Sequence, residues 1–234
     1  MQVGATQYNN WIPNGCPPGL EYLAQIDQVF IKKHVDMRPG GTTGAITHNK
    51  YVLMNSAGQH FFCAREEFDG CERNCCPTTM GFILHVTDNN GSEVLRFRKE
   101  YSQCNTEIYV VTPTGKQLGK VAQSEEGTCC DYQMRVRDDQ GNFILFIETY
   151  DVFNFDWNTL ITSAEFKILS PDKVHTVGVI KRVRQSTYDG YVSNLEFSIH
   201  FPLDLDVKAK ALLIGAAFLL DFLFFEQTDR RFED

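Results

Sequence analysis

Basic charge is scarce in this sequence: 22 Lys and Arg stand against 30 Asp and Glu in 234 residues, for a formal net charge of −8. A duplex nucleic-acid binder needs a basic face to neutralise phosphates, so DNA is not an expected partner. The short catalytic signatures are missing as well. There is no nucleophile elbow, no His-Glu-x-x-His and no phosphate loop of the Gly-x-x-x-x-Gly-Lys-Ser/Thr type, so the chain reads as a non-enzyme. Gly115 to Lys120 is only superficially similar to the last of these, because its spacing is wrong and it falls in a hairpin. Nor is there an apolar stretch at the start. The first residues are polar and uncharged, which predicts no secretory leader and leaves the eight Cys as cytosolic thiols rather than disulfides.

What is present is concentrated near the end of the chain. Pro202-Leu203-Asp204-Leu205-Asp206 precedes an almost unbroken apolar run from Ala211 to Phe225. Asp204 or Asp206 is a good N-cap, its carboxylate accepting the free amide hydrogens of the first turn. The run is apolar on every face, so the helix it predicts, at about 207–226, must be buried in lipid or in protein. From Ala211 to Phe225 it rises roughly 22 Å, against about 30 Å of hydrocarbon. Extending it to Val207 spans lipid only if Lys208 and Lys210 snorkel to the headgroups. Gly215 is its weak helix former, and Asp221 is costly in lipid, by at least about 2.5–3.5 kcal/mol. Length and charge lean towards a helix buried in protein, with a membrane span as the alternative.

From Lys50 onward the pattern is of strands in series. Short β-branched and aromatic runs flank turn sequences such as Ser56-Ala57-Gly58, Asp88-Asn89-Asn90-Gly91, Pro113-Thr114-Gly115, Asp138-Asp139-Gln140-Gly141 and Ser170-Pro171-Asp172, which predicts β-hairpins. A last strand from about Leu195 to Phe201 alternates apolar and polar residues and feeds the helix. Earlier, Leu20 to Lys33 carries Leu23, Ile26, Val29 and Phe30 at helix-like spacing, although Gln28 to Ile31 would also serve as a strand. Cys16-Pro17-Pro18-Gly19-Leu20 reads as a stiff extended segment. The fold these pieces predict is mainly β: a closed antiparallel barrel of about 11–12 strands whose lumen holds the hydrophobic C-terminal helix. Its expected boundaries are a flexible stub at 1–19, a barrel domain at 20–227 and a short tail at 228–234.

Three groups of residues invite a functional reading. Cys71, Cys75 and Cys76 sit in one inter-hairpin loop and Cys129-Cys130 in another. Their spacing fits a zinc site only loosely, so Cys75, Cys76, Cys129 and Cys130 are candidates for acylation or remain plain thiols. Lys181, Arg182 and Arg184 form a small basic cluster that could meet anionic lipid, act in nuclear import, or end a solvated strand. The third group is the helix itself, with Lys208, Gly215 and Asp221.

The order of these pieces resembles the phospholipid scramblase family. The resemblance is carried by Cys16-Pro-Pro-Gly-Leu-Glu-Tyr-Leu-Ala-Gln-Ile-Asp27, Asn49-Lys-Tyr51, Asn55-Ser56 with Gly58-Gln59, and Arg73-Asn-Cys-Cys76. Above all it rests on Phe201-Pro-Leu-Asp-Leu-Asp-Val-Lys208 with Ile214-Gly215-Ala216, Asp221-Phe222 and Phe224-Phe225-Glu226. It implies a tubby-like barrel, and Ca²⁺-dependent, ATP-independent movement of phospholipids between leaflets at the cytoplasmic face of the plasma membrane, with palmitoylation as the anchor. It also implies a Ca²⁺ segment at Ser193 to Asp204, with Ser193, Glu196 and Asp204 as its side-chain donors. Read as an EF-hand-like loop, that segment has Leu195 and Phe197 where oxygen ligands are wanted, so Ca²⁺ binding there is expected to be weak or located elsewhere.

The sequence departs from the family pattern at the acylation run, reduced here to Cys104. It departs again at the Pro-rich tail, reduced to a stub that puts SH3 or WW partners in doubt. Phospholipid and membrane are the expected partners. A homo-oligomer is a further expectation, because one helix with one Asp offers no groove for headgroups alone. The alternative reading is a peripheral lipid- or partner-binding barrel without translocation activity, with a signalling or nuclear role.

Overall fold

The computed structural model describes residues 13–34, 49–67, 81–102, 106–123, 133–149, 163–185 and 194–225. Among them are twelve strands: β1 (Gln28–His34), β2 (Lys50–Met54), β3 (His60–Glu67), β4 (Phe82–Asp88), β5 (Glu93–Lys99), β6 (Glu107–Val111), β7 (Gln117–Gln123), β8 (Met134–Asp138), β9 (Phe143–Thr149), β10 (Ser163–Leu169), β11 (Thr176–Gln185) and β12 (Asn194–His200). Each pairs antiparallel with its sequence neighbours, and β12 closes on β1 through pairs such as Val29 with Ile199. Closure leaves no open edge.

Four of the tight turns share one device. Asp88 Oδ1 accepts from the amides of Asn90 and Ser92 at 2.8 Å each, and Asp138 Oδ1 accepts from Gln140 at 2.9 Å and Asn142 at 2.8 Å. Asn55 does the same for Ala57 and Gln59, and Thr112 Oγ1 accepts from Lys116. In every case a glycine stands three residues after the acceptor: Gly58, Gly91, Gly115 and Gly141, all with positive φ. A short polar side chain mimicking the backbone, followed by a residue free to enter the left-handed region, is what closes these hairpins.

The helix α1 (Val207–Leu220) runs up the barrel axis. Asp206 caps it, its carboxylate accepting from Lys208 N at 2.9 Å and Ala209 N at 3.3 Å. All of its residues are buried except Lys208, so the apolar circumference read from the sequence is satisfied by the barrel wall. No helix among the described residues is long and apolar enough to cross a membrane. The helix ends earlier than expected, giving way to a π-helical turn at Asp221–Phe225.

Wall and helix meet closely. A Cβ added at Gly119 of β7 would lie 2.2 Å from the Arg137 carbonyl oxygen and 2.9 Å from Leu212 of the helix. One at Gly215 of the helix would lie 3.1 Å from both Phe97 and Val110. There is no room for a Cβ at Gly119, and at Gly215 one would push its neighbours by a few tenths of an ångström.

Two N-terminal segments differ from their sequence reading. Leu20 to Lys33 is not one element. A 3-10 helix at Glu21–Gln25 closes the end of the barrel where α1 begins, and β1 follows as a wall strand. Cys16 to Leu20 is folded into turns rather than extended, with Cys16 N donating to Pro13 O and Leu20 N to Pro17 O at 3.1 Å each. Cys16 packs there against the core.

Candidate functional site

The helix carries a polar residue into the core at each end, and the two are handled differently. At its start, Lys210 is fully buried. Its ammonium donates to the carbonyl oxygens of Leu23 at 3.0 Å, Ile26 at 2.8 Å and Leu203 at 2.7 Å, and lies 5.1 Å from the Phe201 ring centroid. Burial pushes its pKa down, against the opposing charges of Asp27, Asp204 and Asp206. Lys210 therefore does not snorkel outwards. It ties the first turn of the helix to the 3-10 helix and to the 201–206 turn, its three donors each finding a carbonyl.

At the other end Asp221 is buried and accepts from the Tyr51 hydroxyl at 3.2 Å. Asn49, Tyr51, Glu66, Phe82, Asp221 and Phe222 face a common cleft. Lys99, also buried, lies beside it with its ammonium 4.5 Å from the Phe222 ring centroid, and burial lowers its pKa to about 8. The free space in this cleft suits a water molecule rather than a phospholipid headgroup. At this end the chain between hairpins is longer, as at 68–81 and 150–162, whereas the opposite end has the tight turns.

The sequence-predicted residues that are described do not come together. Cys75, Cys76, Cys129, Cys130 and Ser193 lie outside the described residues, as does Cys104. Glu196 belongs to β12, whose backbone is paired with β1 on one side and β11 on the other. Asp204 is exposed in the turn before the helix. A strand bonded on both edges, with Phe197 and Ile199 turned into the core, cannot curl into a twelve-residue loop around a cation. Residues 194–200 therefore do not form an EF-hand-like loop.

The basic cluster also needs correcting. In β11 the side chains alternate, so Lys181 faces outwards and pairs with Glu165 at 2.8 Å while Arg182 points into the barrel with 1 % of its surface exposed. Lys181 and Arg182 do not share a face, and the side chain of Arg184 lies outside the described residues. Lys208 is partly exposed, 3.7 Å from Asp139.

Sequence reasoning missed Lys99 and the anchoring role of Lys210. A charged residue at an inward position of the alternation was the available signal for Lys99. Several residues behind the resemblance turn out to hold the fold together: Asn55 donates to the Tyr22 hydroxyl at 2.7 Å, and Tyr51 bonds Asp221.

This geometry defines a class: a closed antiparallel barrel cored by its own C-terminal helix. Comparison with known proteins goes further. The Scramblase family model matches residues 7–227. Phospholipid scramblase 1 of Homo sapiens is 37 % identical over 224 residues, covering 92 % of this chain and 68 % of its own length. Phospholipid scramblase 1 of Mus musculus is 35 % identical, covering 92 % of this chain and 66 % of its own length, and phospholipid scramblase 2 of Bos taurus is 35 % identical with 92 % and 74 % covered. The chain thus spans about two thirds to three quarters of the length of these relatives. It belongs to the scramblase family.

Proposed function

We propose that this protein promotes movement of phospholipids between bilayer leaflets without ATP, in response to Ca²⁺, at the cytoplasmic face of the plasma membrane. The observation that carries the reading is the family match over nearly the whole chain. The buried helix adds a condition. With α1 committed to the barrel core, the reading has the protein work from the bilayer surface, perturbing lipid packing there or assembling in several copies. Acyl chains on Cys75, Cys76, Cys129 or Cys130 would hold it at that surface. No step of the reading runs through Ca²⁺ at Ser193, Glu196 and Asp204, since the strand that carries Glu196 is paired on both edges and forms no EF-hand-like loop.

A second reading is favoured by the same helix burial. A barrel filled by its own helix, with a cleft too small for a headgroup, suits a peripheral lipid-binding module that moves no lipid. Reconstitution separates the two. Purified protein is placed in liposomes carrying a fluorescent phospholipid, and an impermeant quencher is added outside, with and without Ca²⁺. Loss of inner-leaflet fluorescence at low protein-to-lipid ratio, faster with Ca²⁺, is the expected result. Inner-leaflet fluorescence that persists while folded protein is bound would leave only the peripheral module.

A further inference from the structure

One face of the outer wall breaks with the acidic character of the chain. Five residues on five adjacent strands stand directly opposite one another. Arg98 of β5 pairs with Tyr109 of β6, Tyr109 with Lys120 of β7, Lys120 with Arg137 of β8, and Arg137 with Phe143 of β9. Their chain neighbours Phe97, Ile108, Val110, Val121 and Val136 point inwards and are buried, so the row lies on the outside of the barrel. At about 4.8 Å per strand it runs for roughly 19 Å.

Cations and rings in the row are in contact. Arg98 lies 5.5 Å and Lys120 5.7 Å from the Tyr109 ring centroid, and Arg137 lies 3.7 Å from that of Phe143, with Arg135 at 5.2 Å. Phe143 keeps 38 % of its surface exposed under these guanidinium groups. The carboxylates beside the row are turned to local partners. Glu107 accepts from the Tyr109 hydroxyl and from Lys120, Glu100 lies 3.4 Å from Arg98, and Asp138 accepts the amides of its own turn. Glu107 and Glu100 are thus ion-paired with Lys120 and Arg98. The cationic character of the strip is strongest at its Phe143 end, where Arg137 stacks on Phe143 and Lys173 lies 4.5 Å from the ring of Phe146 stacked beside it.

We infer that this strip, Arg98–Tyr109–Lys120–Arg137–Phe143, is the surface by which the barrel docks on an anionic phospholipid bilayer. The cations meet headgroup phosphates and carboxylates, and the rings sit at the headgroup level, where amphipathic aromatic groups are favoured. Stacking on a ring holds each long cation close to the wall, which limits the rotamer entropy lost on docking. The inference rests on the phospholipid reading above and adds which side of the barrel faces the membrane.

The test is flotation of full-length protein, made in bacteria so that its thiols are not acylated, with phosphatidylcholine vesicles containing or lacking phosphatidylserine. Wild type is expected to float with the phosphatidylserine vesicles, less so as salt is raised. The triple variant Arg98→Gln, Lys120→Gln, Arg137→Gln is expected to bind about a hundred-fold more weakly, at roughly five-fold per charge. A control with Lys32, Lys50 and Arg65 changed to Gln should bind like wild type. If the triple variant does not melt cooperatively, the single variants Arg137→Gln and Phe143→Ala replace it, each expected to weaken binding by about three-fold or more.

Equal binding by the triple variant, equal losses in the control, or no wild-type preference for phosphatidylserine would each overturn the inference. So would binding of a single-stranded oligonucleotide through the same residues in preference to vesicles. Lipid movement is scored separately in the quenching assay. Docking without movement would sink the translocation reading and leave the strip standing, while movement with an indifferent strip would do the reverse.

Discussion

Lys210 is the residue with the most concentrated structural role. One ammonium satisfies three carbonyls from three segments: Leu23 in the 3-10 helix, Ile26 before β1 and Leu203 before α1. Lys210→Met keeps the volume and removes every donor, and the stranded carbonyls are expected to cost about 2–3 kcal/mol of stability. Lys208→Met, two residues away on the partly exposed side, should change stability by under about 0.5 kcal/mol. Urea unfolding of the pair checks the contrast, and equal effects would mean that the three contacts carry no net stability.

A second residue-scale prediction concerns His85, whose ring nitrogens lie 2.5 Å from Glu93 and 2.7 Å from Glu67. Burial works against the imidazolium, but the two carboxylates overcome it and raise the pKa above its ordinary 6.5. Glu93 is held below its ordinary 4.5 by Arg96 first, against the penalty of burial, and by His85. The His85 contribution is complete below 6.5 and is lost as pH rises through the raised value. That of Glu93 is complete above 4.5 and is lost as pH falls. Stability attributable to the cluster should therefore peak between pH 4.5 and 6.5. The difference in melting temperature between wild type and His85→Gln, followed against pH, should be largest in that window and shrink on the alkaline side.

At the scale of elements, the hairpins were legible because four of the turns carry one chemical signature, an Asn, Asp or Thr followed three residues later by Gly, and the fifth carries Ser170-Pro171-Asp172. The helix was legible from its apolar circumference, and its length argued for a protein lumen rather than lipid. β1 was not legible. Leu23 and Ile26 belong to the closing 3-10 turn and its exit, while Val29 and Ile31 belong to a strand, and the two patterns run together as a false helical period. The site was less readable still. Lys181 and Arg182 look like one basic patch in a linear sequence, yet strand alternation sends them to opposite faces. Lys99 continues the inward series of Leu95 and Phe97 on its own strand, but a lysine at the end of a strand reads by default as solvated.

Gly215 tests the fit of helix to wall. An alanine there gains up to about 1 kcal/mol of helix propensity but pushes Phe97 and Val110 by a few tenths of an ångström, so Gly215→Ala should leave stability within about 1 kcal/mol of wild type. Gly215→Leu has nowhere to go and should cost about 3 kcal/mol. Thermal unfolding of both variants makes the comparison, and a well-tolerated leucine would show that the helix is free to move away from the wall.

For the whole molecule, the consequence is that core and membrane anchor are competing uses of one segment. Leu212, Leu213, Ile214, Phe218, Leu219 and Leu220 are all buried against the wall. At about 1.5–3 kcal/mol for each side chain their burial amounts to roughly 9–18 kcal/mol, an upper estimate that is nevertheless as large as the entire stability of an ordinary domain. Withdrawing α1 into a bilayer would leave a twelve-stranded wall around an empty apolar lumen. A chain ending at Asp206 is therefore expected to be unfolded or aggregated, with no cooperative melting and no near-ultraviolet circular dichroism. An anchor appended to a self-sufficient domain would behave in the opposite way, since its removal would yield a soluble barrel that melts cooperatively. If the shortened chain does fold, the helix is available for the membrane after all, and the surface-acting mechanism loses its premise. If it does not, any lipid this protein moves is moved by a barrel that keeps its helix inside.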